Sequence, residues 1–450
     1  MRTWRLAVLA CLCAAAAAAP AEAKTHHHTW NITYQYKSPD CFRKLAVTIN
    51  GESPGPTIRA AQGDTLVVTV HNMLDTENTA IHWHGIRQIG SPWADGTAGV
   101  TQCPILPGET FTYRFVVDRP GTYMYHAHYG MQRVAGLDGM LVVSVPDGVA
   151  EPFAYDGEHT VLLMDWWHQS VYEQAVGLAS VPMVFVGEPQ SLLINGRGVF
   201  NCSPPAASNG GGAACNAFGG ECGWPTLFTA SPGKTYRLRI GSLTSLASLS
   251  FEIEGHTMTV VEADGYYVTP VVVKNLFIYS GETYSVLVTA DQDPSRSYWA
   301  AETHPWHLHG HDFWVLGYGD GRYDPADVVL QNANALARNV SEVHPWHLHG
   351  HDFWVLGYGE GKFVPEVDGP GLNAASARGG AVMKNTVALH PMGWTAVRFR
   401  ASNPGVWLFH CHLEAHVYMG MGVVFEEGVD VLPRLPASIM GCGRTKGHHY

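Results

Sequence analysis

The stretch His410-Cys411-His412-Leu413-Glu414-Ala415-His416, followed by Met421, decides how the chain is read. In a β-strand successive side chains point to opposite faces, so His410 and His412 face one way and Cys411 the other. One strand therefore addresses two sites. A thiolate, an imidazole five residues on and a thioether ten residues on form the ligand set of a trigonal copper site with a weak axial methionine, which groups Cys411, His416 and Met421. The histidines flanking the cysteine then serve a second metal site, reached through covalent backbone. Such an arrangement suits the passage of single electrons.

Three further His-x-His pairs extend this reading: His82 and His84, His126 and His128, and His347 and His349. The i, i+2 spacing puts both rings of a pair on one face of a strand, as convergent metal binding requires. With His410 and His412 the pairs supply eight imidazoles, enough for three copper ions. His344, three residues before His347, is the missing nitrogen ligand of the Cys411 site. A single pair of this kind reads as packed or surface histidines; four pairs together with Cys-x4-His-x4-Met do not.

These motifs resemble the multicopper oxidases, and within them the plant-type L-ascorbate oxidases. Ser91-Pro-Trp-Ala-Asp-Gly-Thr97, Asp165-Trp-Trp-His-Gln-Ser170, Gly187-Glu-Pro-Gln190, Val261-Glu-Ala-Asp-Gly265 and Met419-Gly-Met-Gly-Val-Val-Phe425 are similar to that subfamily rather than to laccases. The resemblance implies an all-β chain of three cupredoxin-like Greek-key β-sandwich domains, with copper as cofactor and a small-molecule reductant, L-ascorbate, and O2 as partners. It implies type 1 copper on His344, Cys411, His416 and Met421. Type 2 copper falls to His82 and His347, and the type 3 pair to His84, His126, His128, His349, His410 and His412. His416 is the expected entry point for the electron, Phe185 stands where the family tends to hold the substrate ring with Trp, and Asp95 matches a carboxylate that relays protons. On its residues alone Asp95 reads equally as a turn-capping Asp before Gly96. A laccase-like phenol oxidase and an inactive copper-binding or cell-wall relative are the alternatives.

Met1 to Arg5, the apolar run from Leu6 to Ala19 and Ala21-Glu22-Ala23 read as a secretory signal peptide spanning residues 1–23. No other stretch is apolar for long enough to span a bilayer, so a secreted, extracellular product of the apoplast or cell wall is expected, without a membrane partner. The formal charge of -12 argues against a nucleic-acid partner. Nine cysteines, less Cys11 and Cys13 in the leader and Cys411 as ligand, leave six, which suits three disulfides and allows about fifteen pairings. The resemblance implies Cys41 with Cys222, Cys103 with Cys442 and Cys202 with Cys215, and leaves a homodimer open. Sequons at Asn31, Asn201 and Asn339 fit the secretory route.

Short β-rich runs such as Thr65 to Val70 and Thr110 to Phe115 alternate with Gly/Pro turns over 24–145, the pattern of an antiparallel sandwich. Residues 146–301 repeat that pattern without any His-x-His, so this second domain has an architectural role, and Trp166 and Trp167 read as core. Residues 302–450 carry the remaining ligands and an anomaly. His304 to Gly319 recurs unchanged from His344 to Gly359. The two pairs of the first domain start 44 residues apart, and the gap to His410 is 63 from His347 but 103 from His307, so the second copy is assigned to copper and His304, His307 and His309 are surplus. The first domain spends 58 residues before its first ligand while the third offers about 40, half of them duplicate. The third domain is therefore expected to lack its opening strands, through gene rearrangement unless the first copy improvises one. A sandwich without core strands exposes apolar edges.

Overall fold

The computed structural model describes residues 23–202, 215, 222–223, 226–303, 343–377 and 380–443. The leader up to residue 22, the sequon at Asn339 and the first repeat copy with His304, His307 and His309 lie outside the described residues.

The first β-unit is built from two four-stranded sheets. One is ordered Lys44–Ile49, Thr25–Lys37, Thr65–Asn72, Thr110–Val116; the other Ile58–Ala61, Asp138–Ser144, Gly121–Ala127, Ile81–His82. Thr65–Asn72 and Thr110–Val116 alternate buried with more open positions along their whole length, as strands with one face on a core do. Their inward residues meet Trp30, Trp83 and Tyr125, whose rings pack at 4.8 Å (Trp30 with Tyr125) and 5.9 Å (Trp83 with Tyr125). Such aromatic pairs each add about 0.5–1.5 kcal/mol beyond the area they bury. Gly121–Ala127 departs from alternation and is buried throughout, because the second unit packs behind it: Met124 and Met140 meet Leu162, Met164 and Trp166.

The pairing is not purely antiparallel. Thr25–Lys37 runs parallel to Thr65–Asn72, Ile58–Ala61 to Asp138–Ser144, and Gly157–Trp166 to Thr235–Ser242. None of these partners is consecutive in the chain; other elements lie between them, so no hairpin imposes opposite directions. Alternation along one strand reports burial, not the direction of its neighbour.

The second unit pairs a six-stranded sheet, Ser191–Ile194, Gly157–Trp166, Thr235–Ser242, Thr283–Thr289, Met258–Ala263, Tyr266–Val273, with the three strands Asn275–Ile278, Leu249–Ile253 and Ala300–Thr303. Trp166 and Trp167 are buried, as core residues. The third unit has a four-stranded sheet, Thr386–Leu389, His344–Leu348, Gly405–Cys411, Gly422–Glu427, and a three-stranded one, Val382–Lys384, Phe353–Glu360, Gly393–Phe399. Its core is small: Leu348, Phe353 and Val387 form its buried cluster. Val423, Val424 and Phe425 are 53%, 48% and 39% exposed, so among the described residues Gly422–Glu427 is open on both faces.

The three expected disulfides are formed, and Cys411 is a buried free thiol. Cys103–Cys442 fastens the C-terminal segment to the first unit, and the Arg119 guanidinium grips both oxygens of Asp352 across to the third unit at 2.6 and 3.1 Å. No helix among the described residues is long and apolar enough to cross a membrane.

Candidate metal centres

Two antiparallel pairings aim the histidines. His82 lies opposite His126 at the edge of the first unit, and His347 opposite His410 in the third. Directly opposed residues share a face, so each pairing places two rings together. Trp346 opposes Cys411 on the other face, as the two-residue period requires. The units meet so that all eight paired histidines converge. Nitrogen atoms of His84, His126 and His412 lie within 4.8 Å of one another, as do those of His128, His349 and His410, and those of His82, His84 and His347.

Hydrogen bonds at the far side of the rings say what the near side can do. His82 Nδ1 donates to the Asp95 carbonyl at 2.8 Å, His347 Nδ1 to the Asn385 carbonyl at 2.9 Å, His349 Nδ1 to Asp95 Oδ2 at 2.8 Å and His410 Nδ1 to the Cys411 carbonyl at 2.8 Å. In a neutral imidazole the other nitrogen is then a bare lone pair. Yet His82 Nε2 faces His347 Nε2 at 3.4 Å, and His349 Nε2 faces His410 Nε2 at 3.1 Å. Two acceptors at that distance repel unless a cation lies between them, and nitrogens each about 2.0 Å from a shared ion fall about 3 Å apart. His84 is turned the other way: Nε2 sits 3.2 Å from Thr386 Oγ1 while the buried Nδ1 has no hydrogen-bond partner. His412 differs again, since Arg133 Nη1, which can only donate, lies 2.6 Å from its Nδ1.

Burial foremost, then neighbouring imidazoles and at His126 and His412 the Arg133 guanidinium, hold His84, His126, His347, His349, His410 and His412 well below the usual histidine range. His128 is pushed down to about 3, by burial and then His82. All are thus neutral and ready to ligate. An open cavity of about 550 Å³, lined by His126, His128, His410, His412, Arg133 and Glu414 among others, leads to them.

The second group is His344, Cys411 and His416. Cys411 Sγ lies 3.5 Å from His344 Nδ1 and 3.6 Å from His416 Nδ1. Donors about 2.1 Å from a central ion and spread trigonally sit about 3.6 Å apart, so the spacing fits one ion. Met421 is fixed beside them by main-chain hydrogen bonds, its N–H to the His416 carbonyl at 2.9 Å and its carbonyl from Cys411 N–H at 3.1 Å. The first turn of the helix Glu414–Tyr418 presents His416 half-buried, with the Phe185 ring 6.1 Å away.

Asp95 lies both at a turn and beside the cluster. It closes the turn Pro92–Ala94, and its buried carboxylate takes hydrogen bonds from His349 and from Thr97 Oγ1 at 2.8 Å each. Gly96 is obligatory there: at φ +91° a Cβ would lie 1.7 Å from the Ile81 carbonyl oxygen. Three contributors escaped the sequence reading. Buried Arg133 donates to Glu414 Oε2 at 2.7 Å and to the His412 carbonyl at 2.6 Å; burial raises the Glu414 carboxyl against the pull of Arg133. Ser280, from the second unit, reaches His412 Nδ1 at 2.8 Å, so the unit without histidine pairs still touches the cluster. A lone Arg, Glu or Ser carries no spacing signal that could have revealed them.

Comparison with known proteins places these geometries. Multicopper oxidase family models match residues 31–148, 157–312 and 323–431. The chain is 44% identical to an L-ascorbate oxidase of Cucumis sativus, with 94% of this chain and 92% of that protein covered, and 42% identical to one of Nicotiana tabacum, with 94% and 93% covered. The Cucumis alignment runs over 545 positions, more than the 450 residues present here, so the relative carries stretches without counterpart in this chain. Laccase-4 of Trametes villosa is 39% identical over 57% of the chain. Among solved structures the laccase of Botrytis aclada superposes with a TM-score of 0.75 at 26% identity, over 93% of this chain and 90% of that one. Three consecutive family matches, near-full-length relatives and the facing lone pairs agree: the chain belongs to the multicopper oxidases, which carry type 1, type 2 and type 3 copper.

Proposed function

We propose that the chain is a secreted oxidase that takes single electrons from L-ascorbate, or a similar enediol, and reduces O2 to water. The observation that carries the substrate class is the extent of likeness in sequence: the L-ascorbate oxidases align at 41–44% identity over 93–94% of the chain, whereas the laccases of Trametes villosa and Thanatephorus cucumeris align over 57–58% and the Botrytis aclada laccase, alike over its length in fold, is 26% identical. When bound, copper supplies one-electron oxidation beside Cys411 and O2 reduction among the paired histidines. His344, Cys411, His416 and Met421 are the proposed type 1 ligands, His82 and His347 hold type 2, and His84, His126, His128, His349, His410 and His412 hold the type 3 pair. The half-buried edge of His416 receives the reductant, and Phe185 provides an aromatic wall for its ring. The main chain from Cys411 to His410 and His412 offers a bonded path between the two donor groups. Asp95 orients His349 through Oδ2, while Oδ1, buried and without a hydrogen-bond partner, faces the same rings and can take up or release a proton there.

Secretion follows removal of residues 1–23; Asn31 and Asn201, both exposed, and Asn339 are the proposed glycan sites. The domain boundaries 24–145, 146–301 and 302–450, and homodimer formation, are part of the same proposal. Comparing kcat/KM for ascorbate with that for a bulky phenol tests the reading: a preference for ascorbate supports it, and a preference for the phenol makes this a laccase-like oxidase. The exposed Gly422–Glu427 strand favours one other reading, a relative without turnover. An absorption spectrum of copper-loaded protein decides that point, since a colourless sample means that the third unit does not close around Cys411.

A further inference from the structure

The N-terminal edge of the described chain holds chemistry that the two copper centres do not use. Residues 24–26 are Lys-Thr-His, and they lie directly behind the Ala21-Glu22-Ala23 processing signal. A free α-amine, two backbone amides and a histidine in third place form a chain of four nitrogens that closes around Cu(II) or Ni(II) in the square-planar geometry both ions favour. Position three is essential, because each nitrogen must close a small chelate ring with the next. A chain that begins at Lys24 puts His26 in that place.

The Lys24 main-chain nitrogen, a peptide N–H in the uncleaved chain and the α-amine after cleavage, shares an anchor with the His26 ring. Lys24 N donates to Asp64 Oδ1 at 2.7 Å, and His26 Nε2 lies 2.7 Å from Asp64 Oδ2. Asp64 is itself fixed by the Ala61 N–H at 3.0 Å. Chelation uses His26 Nδ1, so the Nε2 contact to Asp64 can persist. Lys24 and Thr25 are exposed, and the His26 side chain is 29% open. The parallel pairing of Thr25–Lys37 with Thr65–Asn72 begins at Thr25, so folding the first three residues around an ion gives up only the opening rungs of a strand end.

We infer that the processed chain carries a surface Cu(II)/Ni(II) site made of the Lys24 α-amine, the Thr25 and His26 amide nitrogens and His26 Nδ1, separate from the oxidase coppers. Binding displaces the two amide protons and the extra proton of the α-ammonium, with no change in the oxidation state of the metal; uptake therefore strengthens as pH rises. The inference rests on the secretion reading above, through cleavage after Ala23.

The test uses the full secreted chain, its oxidase centres loaded with copper and its surface then cleared of Cu(II) by a chelator until no square-planar Cu(II) absorption remains, its first residue identified by mass spectrometry, and titrated with Ni(II) alone. The expected result is one equivalent of nickel bound with the yellow, diamagnetic signature of square-planar coordination. His26→Ala abolishes it. So does inserting one glycine before Lys24, which shifts His26 to fourth place and leaves every other side chain and the blue absorption intact. A mature chain that starts elsewhere overturns the processing reading and the site with it. A chain that starts at Lys24 but binds no nickel, or a glycine-insertion variant that still binds it, overturns the site alone.

Discussion

Asp95 and Asp138 show how differently two buried carboxylates can behave. Asp95 accepts hydrogen bonds from His349 and Thr97, and so orients a ring of the cluster. Asp95→Asn is expected to weaken copper retention at the cluster or turnover by about 10–100-fold, while the blue absorption from Cys411 stays; loss of the blue band as well would show a general folding defect. Asp138 has neither oxygen hydrogen-bonded, and burial pushes its carboxyl up to about 8. Its folded value lies above its unfolded one, so its contribution to stability is complete below about pH 4 and drains away as pH rises through about 8. The slope of that loss reaches about 1.4 kcal/mol per pH unit. Denaturant unfolding of the metal-free protein at several pH values should show a shallower decline for Asp138→Asn across this window. Arg133 is a third case: removing a buried partner leaves Glu414 uncompensated, and Arg133→Ala should cost about 3–5 kcal/mol in the same assay. At this scale the histidines and Cys411 were legible, because ligand chemistry fixes both type and spacing. Arg133, Glu414 and Ser280 were not, since what they do depends on neighbours more than a hundred residues away.

Strands carried most of what the sequence could say. The two-residue period put His410 and Cys411 on opposite faces, and the pairing of His347 with His410 and of Trp346 with Cys411 follows it. Direction escaped, because the parallel neighbours are brought together by long crossovers. The strand Gly422–Glu427 offers a contrast that can be measured. Val424→Thr lies on an open face and should change stability by less than about 0.5 kcal/mol, whereas Leu66→Ala, in the closed first sandwich, should cost about 2–5 kcal/mol. Equal costs at the two positions would mean that something covers Gly422–Glu427 in solution. The shortage of residues before His347 is what led to the expectation of missing strands, and among the described residues the open faces of Gly422–Glu427 are what such a shortage would leave.

Taken whole, the molecule joins two well-packed units to a third with a small core of its own. Cooperativity should therefore break there: calorimetry of the metal-free protein is expected to show an early transition that merges with the main one on copper loading, because ions that bind only the assembled donors stabilise the assembled state. Replacing Cys103 and Cys442 with serine should lower stability by about 2–5 kcal/mol, since that bridge closes a loop of 339 residues. The arrangement of donors also has a schedule built into it. Synthesis runs from the N-terminus, so His82, His84, His126 and His128 are made and housed long before the strand bearing His410 and His412 exists. For nearly half of its synthesis the chain carries half a cluster, open to solvent and to stray ions, and the strand that completes it is nearly the last to arrive. Correct metal content is then a matter of timing: copper offered too early meets four histidines in want of partners, and copper offered after the Cys103–Cys442 bridge has formed must enter through the cavity beside Arg133 and Glu414.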